Sequence, residues 1–126
     1  MKRFLPLVIT LALGQALQAQ KMRDVFAAMP DSVLGIMTKN NRLDCIDFIE
    51  NTMAAKVHNR FDGDTELKAL TVDYLELQLT KNCRVEMKLL PSEDTLYYIC
   101  VARTYSGPMA ETKVALYTPD WETLPE

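Results

Sequence analysis

The stretch that decides the fold runs from residue 83 to residue 104 and reads CRVEMKLLPSEDTLYYICVART. In its first half, from Cys83 to Leu89, apolar residues alternate with charged ones. Alternation with a period of two is typical of a β-strand that has one buried face. A Pro-Ser-Glu-Asp turn then precedes a run rich in aromatic and β-branched residues. The stretch therefore predicts two antiparallel strands, at 83–90 and 95–104.

One further strand is expected on each side of this hairpin. Leucines alternate with polar residues from Leu75 to Leu79, which predicts a strand at 68–79. A Ser-Gly-Pro turn separates the hairpin from a last strand at 111–118. Together these patterns predict an antiparallel meander of about four strands.

Helical spacing precedes the strands. Apolar residues recur three and four positions apart at Leu43, Ile46, Ile49 and Met53. This spacing predicts a helix with one buried face, capped by Asn41 and running to about residue 57 or 58. A shorter helix capped by Asp31 or Ser32 is expected before it. The predicted fold class is α+β, with two N-terminal helices packed on one face of the sheet.

The central turn determines which strand residues face the helices. If Leu90 lies opposite Thr95, the even-numbered residues from Leu96 to Ala102 share the core face with Cys83 and its odd-numbered neighbours. The outer face then carries an apolar strip, which indicates an interface with a partner. The residues of this candidate interface are Tyr97, Ile99 and Val101.

The first 19 residues have the pattern of a secretory signal peptide. A basic N-terminus is followed by a mostly apolar stretch from Phe4 to Leu17, shorter than the roughly 20 residues that a membrane span needs. We expect cleavage between Ala19 and Gln20, with cleavage after Ala16 as the alternative. The remainder, residues 20–126, is expected to be a single α+β domain without a membrane span.

The charge and the leader together restrict the partners and the location. The formal net charge is −3 and there is no basic block, so nucleic acid is not an expected partner. An exported chain reaches the periplasm, the outer envelope or the medium, where disulfides persist. An unidentified protein or envelope component is therefore the expected partner.

The three cysteines leave two alternatives open. Cys83 and Cys100 are expected on neighbouring strands as a diagonal pair, which is usually too far apart for a disulfide. A small shift of register would bring them into bonding distance. Otherwise they are buried thiols that act as small apolar side chains, and Cys45 is expected to be one as well.

Two patterns carry a weak indication of chemistry. Asp62, Asp64 and Glu66 place acids at every second position after a turn, as calcium ligands are spaced, although exposed turn acids are the commoner explanation. His58 is the only histidine, and a small periplasmic hydrolase could use it with a nearby carboxylate or Cys.

No motif places a nucleophile, a cofactor or a closed metal site around these residues, and no cofactor is expected. We therefore favour a non-catalytic binding or interaction module of the cell envelope, with the hydrolase as the alternative. A purely structural role in an envelope assembly predicts the same sequence features.

Short phrases spread along the chain are more distinctive. They are MRDVF at 22–26, MPDS at 29–32, NNRLD at 40–44, IDF at 46–48, EMKLLP at 86–91 and YTPDW at 117–121. Together they resemble the domain of unknown function 3256 family of Bacteroidales. The resemblance implies an exported bacterial protein and implies no activity.

Members of that family generally continue beyond this tryptophan, so the resemblance also implies a shortened and incomplete C-terminal end. The order of helices and strands is similar to one repeat of the β-lactamase-inhibitor-protein-like architecture, an analogy that does not extend to function.

Overall fold

The described part of the chain forms two helices and one six-stranded antiparallel sheet. A computed structural model describes residues 21–93 and 95–124 of the 126-residue chain. The helices are α1, Met22–Ala28, and α2, Lys39–Glu50. The strands are β1, Ala55–His58; β2, Asp64–Leu70; β3, Tyr74–Thr80; β4, Cys83–Pro91; β5, Tyr97–Tyr105; and β6, Glu111–Tyr117. Each strand pairs with the next one along the chain.

The predicted four-stranded sheet is therefore wrong, and so is the order of elements that resembled the β-lactamase-inhibitor-protein-like repeat. The expected signal peptide and its cleavage site at Ala19 and Gln20 lie outside the described residues. The structure gives no support for describing the helices as N-terminal, because residues 1–20 precede the described part.

The predicted strand at 68–79 is in fact two strands. The chain turns at residues 71–73, where the Thr71 side chain accepts a hydrogen bond from the Tyr74 backbone at 3.1 Å. β2 could not be recognised from the sequence, because a polar residue, Thr65, occupies a fully buried position beside Leu67 on the inner face of the strand. An alternation of apolar and polar residues does not reveal a strand whose buried face is itself partly polar.

The helix α2 ends at Glu50 rather than at residue 57 or 58. Thr52 adopts a left-handed backbone conformation with φ of 56°, which stops the helix. After two further residues the chain enters the four-residue β1, in which Ala55 and Val57 are buried and their neighbours are exposed. A four-residue strand offers too few alternations to be distinguished from a continuing helix.

Thr38, not Asn41, caps the start of α2. The Thr38 hydroxyl accepts from the Asn41 backbone at 3.1 Å, and the Asn41 side chain accepts from the Thr38 backbone at 3.0 Å. This reciprocal pair is a capping box, with Asn41 in the position usually held by Glu or Gln. The expected short helix after Ser32 is a series of turns instead, and the other helix is α1.

The buried face of α2 also differs from the expected one. Its fully buried positions are Arg42, Cys45 and Ile46, whereas Leu43 and Met53 are 42% and 58% exposed. Ile46 is buried as expected, but the expected face did not include the charged residue Arg42. Its burial rotates the inward face of the helix by one position.

The register of β4 and β5 reverses the predicted faces of β5. Leu90 lies opposite Tyr98, three residues further along than the predicted partner, because the connecting turn is longer than expected. An odd shift moves every side chain of a strand to the other face. Tyr97, Ile99 and Val101 therefore lie in the core, at 8%, 0% and 1% exposure. The candidate interface loses the exposure on which it was based.

The same register separates the two strand cysteines. Cys83 faces the core opposite Tyr105, while Cys100 lies opposite Lys88 on the outer face. Five residues separate Cys83 from Lys88 along β4, which corresponds to about 16 Å. A bond between Cys83 and Cys100 is therefore impossible in this register, and all three cysteines are free thiols.

The C-terminal turn fastens the end of the sheet to α1. Trp121 has a left-handed backbone, with φ of 63°, and its ring packs 5.2 Å from that of Tyr117. Its indole nitrogen donates to the Val25 carbonyl at 3.2 Å. Beyond the turn, the Leu124 backbone donates to the Leu116 carbonyl at 3.0 Å, along the outer edge of β6.

No helix within the described residues is long and apolar enough to cross a membrane.

Arg42 joins the two helices. Its guanidinium donates through Nε to the Phe26 carbonyl at 3.1 Å and through Nη2 to the Met29 carbonyl at 2.5 Å. Nη1 contacts Asp31 Oδ1 at 2.8 Å, which gives the 1% exposed Arg42 a carboxylate partner. The planar guanidinium thus donates to two carbonyls at the C-terminal end of α1, and the Phe26 carbonyl also accepts from the Met29 backbone at 3.3 Å.

Replacing Arg42 with Met should lower the free energy of unfolding by about 3 kcal/mol, because two carbonyls lose charge-assisted donors. Urea denaturation monitored by circular dichroism measures the change. Arg23→Met is the matched control. The Arg23 guanidinium pairs with Glu50 on the surface, so its loss should cost less than about 1 kcal/mol. Equal losses for both variants would contradict the structural role of Arg42.

The thiols should differ in reactivity. Burial raises the pKa of Cys45 to about 11 and also raises the pKa of Cys83, so both remain protonated thiols at neutral pH. The partly exposed Cys100 should react first with N-ethylmaleimide, and unfolding should expose all three. Intact mass followed by peptide mapping identifies the modified residue. Native protection of Cys100 with modification of Cys83 would contradict the register of β4 and β5.

Candidate functional site

Three turns meet at one end of the sheet. They connect β1 to β2, β3 to β4, and β5 to β6, and the segment between the two helices packs beside them. We call the depression between these elements the hairpin-end cleft. Its central residues are Ile36, Phe61, Thr80, Arg103 and Tyr105.

A buried asparagine fixes the β1–β2 turn. The Asn59 side-chain oxygen accepts from the backbones of Phe61 at 2.9 Å and Gly63 at 3.1 Å. Its amide nitrogen donates to Thr65 Oγ1 at 3.0 Å, and that hydroxyl donates to the Leu79 carbonyl at 2.7 Å. This chain of buried hydrogen bonds connects the turn to β3 and holds its backbone in one conformation.

Phe61 projects from this turn into solvent and is 75% exposed. A cavity of about 590 Å³ and another of about 400 Å³ both have Phe61 in their walls, together with Ile36 and Thr80. Volumes of this size are typical of ligand pockets. The larger cavity has charged residues of both signs in its wall: Lys56, Asp64, Glu66 and Lys81. The smaller one is mainly apolar.

The segment between the helices forms the opposite wall of the cleft. The Arg60 backbone donates to the Ile36 carbonyl at 3.0 Å, and its side chain donates to the Gly35 carbonyl at 3.3 Å. Arg103 reaches from β5 to the Val33 carbonyl. These contacts connect the wall to the β1–β2 turn and to β5. The elements that form the cleft are therefore hydrogen-bonded to one another.

His58 lies beside the cleft between two carboxylates. Its Nε2 is 2.9 Å from Asp62 Oδ1 and its Nδ1 is 3.6 Å from Asp64 Oδ1. The predicted pairing of His58 with a nearby carboxylate is therefore present in the geometry. Cys45 is not available as its nucleophile, because it is fully buried and donates to the Ala55 carbonyl.

The acidic residues that were spaced like calcium ligands do not converge. Asp62 and Asp64 contact opposite nitrogens of the His58 ring, and Glu66 pairs with Lys68 at 3.3 Å. Within the described residues, no group of three such side chains is arranged to hold a metal ion.

Phe61, the most exposed ring of the cleft, was not among the residues predicted from the sequence. The signal that could have identified it is an apolar aromatic within a polar turn, Asn-Arg-Phe-Asp-Gly, where nothing in the local pattern requires a large side chain. Ile36 lies in the segment where a short helix was expected, and its contribution to a wall of the cleft depends on contacts that the sequence does not display.

Comparison with known proteins gives a family and a fold. No curated protein matches the chain significantly. The chain is similar to a solved structure described as a domain of an uncharacterized protein from Porphyromonas gingivalis W83, with 27% identity and a TM-score of 0.69. The match covers 84% of this chain and 54% of that chain, so this chain spans about half of its structural relative.

A family model described as "Protein of unknown function (DUF3256)" matches residues 14–126, nearly the whole chain. This match confirms the family that the short sequence phrases indicated. The chain belongs to the DUF3256 family.

Proposed function

We propose that this protein is a non-catalytic binding module of the cell envelope and that it binds a partner protein through the hairpin-end cleft. The observation that carries the proposal is the exposure of Phe61 on a turn whose backbone is fixed by the buried Asn59. Large aromatic side chains contribute a major share of binding energy at protein interfaces.

Preorganisation of the turn favours binding. A flexible loop loses conformational entropy when it is immobilised by a partner, and that loss reduces the affinity. The Asn59 hydrogen bonds and the Arg60 contacts already restrict this turn, so Phe61 is presented with little further loss of entropy.

The residues of the cleft also indicate which kind of side chain the partner inserts. The smaller cavity beside Phe61 has Leu34, Ile36 and Leu79 in its wall, with Arg103 and Tyr105 at one side. An apolar side chain of the partner fits this environment because its surface would be removed from water on three sides. The proposed contact is therefore an apolar side chain of the partner inserted next to Phe61.

The arrangement around His58 supports a binding role over the hydrolase. His58 and Asp62 are 62% and 96% exposed at their side chains, so water surrounds the pair. Within the described residues, the ring is hydrogen-bonded to carboxylates and not to a hydroxyl or thiol that it could activate as a nucleophile.

The location in the cell envelope rests on the amino-terminal pattern of residues 1–19. We expect an expressing cell to export the protein and to release a chain that begins at Gln20. Intact mass of the protein recovered from the envelope fraction measures this. Reversing the charge of both Lys2 and Arg3 to Glu should reduce export, because the basic segment orients the leader. An uncleaved chain retained in the cytoplasm would contradict the proposed location.

A photo-crosslinking side chain, p-benzoylphenylalanine, introduced at Phe61 should give a discrete protein adduct in the cell envelope. The same substitution at Leu96 is the matched control, because Leu96 is 57% exposed on the turn at the other end of the sheet. Ile36→Glu should reduce the adduct at position 61, since a charge then lines the apolar cavity. Equal adducts at positions 61 and 96, or none at 61, would count against the cleft as the binding surface.

A further inference from the structure

The outer edge of β6 is partly unpaired. The Leu116 carbonyl accepts from the Leu124 backbone, so the Leu116 backbone points away from β5. Backbone groups of a strand alternate between its two sides, and those of Val114 and Thr112 therefore point to the same free side. No partner from the described residues pairs with them there. The free edge thus offers four hydrogen-bonding groups.

Two cations lie next to this edge. Arg103 of β5 and Lys113 of β6 are directly opposite each other on the inner face of the sheet. Like charges in this arrangement destabilise a strand pair. No described carboxylate is within ion-pair distance of either side chain. A cavity of about 270 Å³ lies beside them, and Val101, Tyr105 and Ala115 contribute to its wall.

The opposite face of the same edge is apolar. Val114 is 58% exposed and Leu116 is 38% exposed on the outer face of β6. Ala102 and Cys100, their partners on β5, extend this apolar surface inward from the edge. A strand added to β6 would therefore meet apolar side chains on one face and two cations on the other.

From these features we infer that β6 is a strand-addition site for an extended acidic peptide of a partner protein. The peptide pairs with the backbones of Thr112 and Val114 and places a carboxylate opposite Lys113, where it neutralises the Arg103–Lys113 pair. The peptide residues on either side of that carboxylate are β-branched, and they lie opposite Thr112 and Val114 on the outer face. Arg103 and Tyr105 also line the hairpin-end cleft, but Phe61 does not line the cavity beside β6.

Charge argues against a second copy of this chain as the occupant. The free edge runs from Glu111 to Ala115, and Lys113 is its midpoint. A symmetric antiparallel pair that uses this whole edge places Lys113 opposite its own copy, next to both Arg103 side chains. Repulsion between these cations disfavours the dimer and leaves the edge open to an acidic strand.

The test uses blocked heptapeptides with the sequences STVEVTS, STVQVTS and STVKVTS, titrated into the ¹⁵N-labelled protein. We expect the Glu peptide to bind about two- to fivefold more tightly than the Gln peptide, and the Lys peptide to bind least. Bound Glu peptide should slow hydrogen exchange at the Thr112 and Val114 amides. The Lys113→Glu variant should reverse the ranking, whereas Lys39→Glu, on an exposed position of α2, should leave it unchanged.

Val114→Pro removes an outward-pointing backbone donor without removing a hydrogen bond to β5. It should therefore weaken the binding of all three peptides. Phe61→Ala should leave peptide binding unchanged, which separates this site from the cleft. Equal affinities for the three peptides, or protection outside β6, would overturn the inference. Protection of Thr112 and Val114 in the free protein would also overturn it, because the edge would then already be occupied.

Discussion

The buried guanidinium of Arg42 is the constraint on which the helical layer depends. Its three nitrogens contact the Phe26 and Met29 carbonyls and the Asp31 carboxylate, so a single side chain fixes the end of α1, the following turn and the face of α2. An arginine can do this because its donors are planar and diverge, whereas a lysine ammonium concentrates its charge at one atom. The turn that Arg42 fixes leads directly into the segment containing Ile36, one wall of the cleft.

The sequence predicted the elements whose buried positions are apolar. It did not predict the elements in which a polar residue is buried and held by hydrogen bonds. β4, β5 and β6 begin at or near the predicted residues, because β4 alternates apolar and charged side chains, β5 is rich in aromatic and β-branched residues, and a Ser-Gly-Pro turn precedes β6. β2 was missed because Thr65 occupies a core position, and the face of α2 was misassigned because Arg42 does. In each case a buried polar group is satisfied by a partner distant in the chain, which no local pattern can display.

The site was less predictable than the fold. The predicted interface at Ile99 depended on the length of one turn, and a shift of three residues placed it in the core. The pairing of His58 with a nearby acid was foreseeable, because Asp62 and Asp64 are close in sequence. The exposure of Phe61 was not, because it depends on the hydrogen bonds that the Asn59 side chain makes to the Phe61 backbone and to Thr65.

Trp121 has a consequence for the order of folding. The sheet is assembled from neighbouring hairpins, whose contacts close short loops, but the bond from Trp121 to Val25 joins residues 96 positions apart. The entropy lost on closing a loop grows with its length, so this contact forms last and opens first. Opening there releases the C-terminal turn from α1 while Arg42 still holds α1 against α2. The fluorescence of the chain's single tryptophan accordingly reports contact between the C-terminal turn and α1 rather than formation of the hairpins.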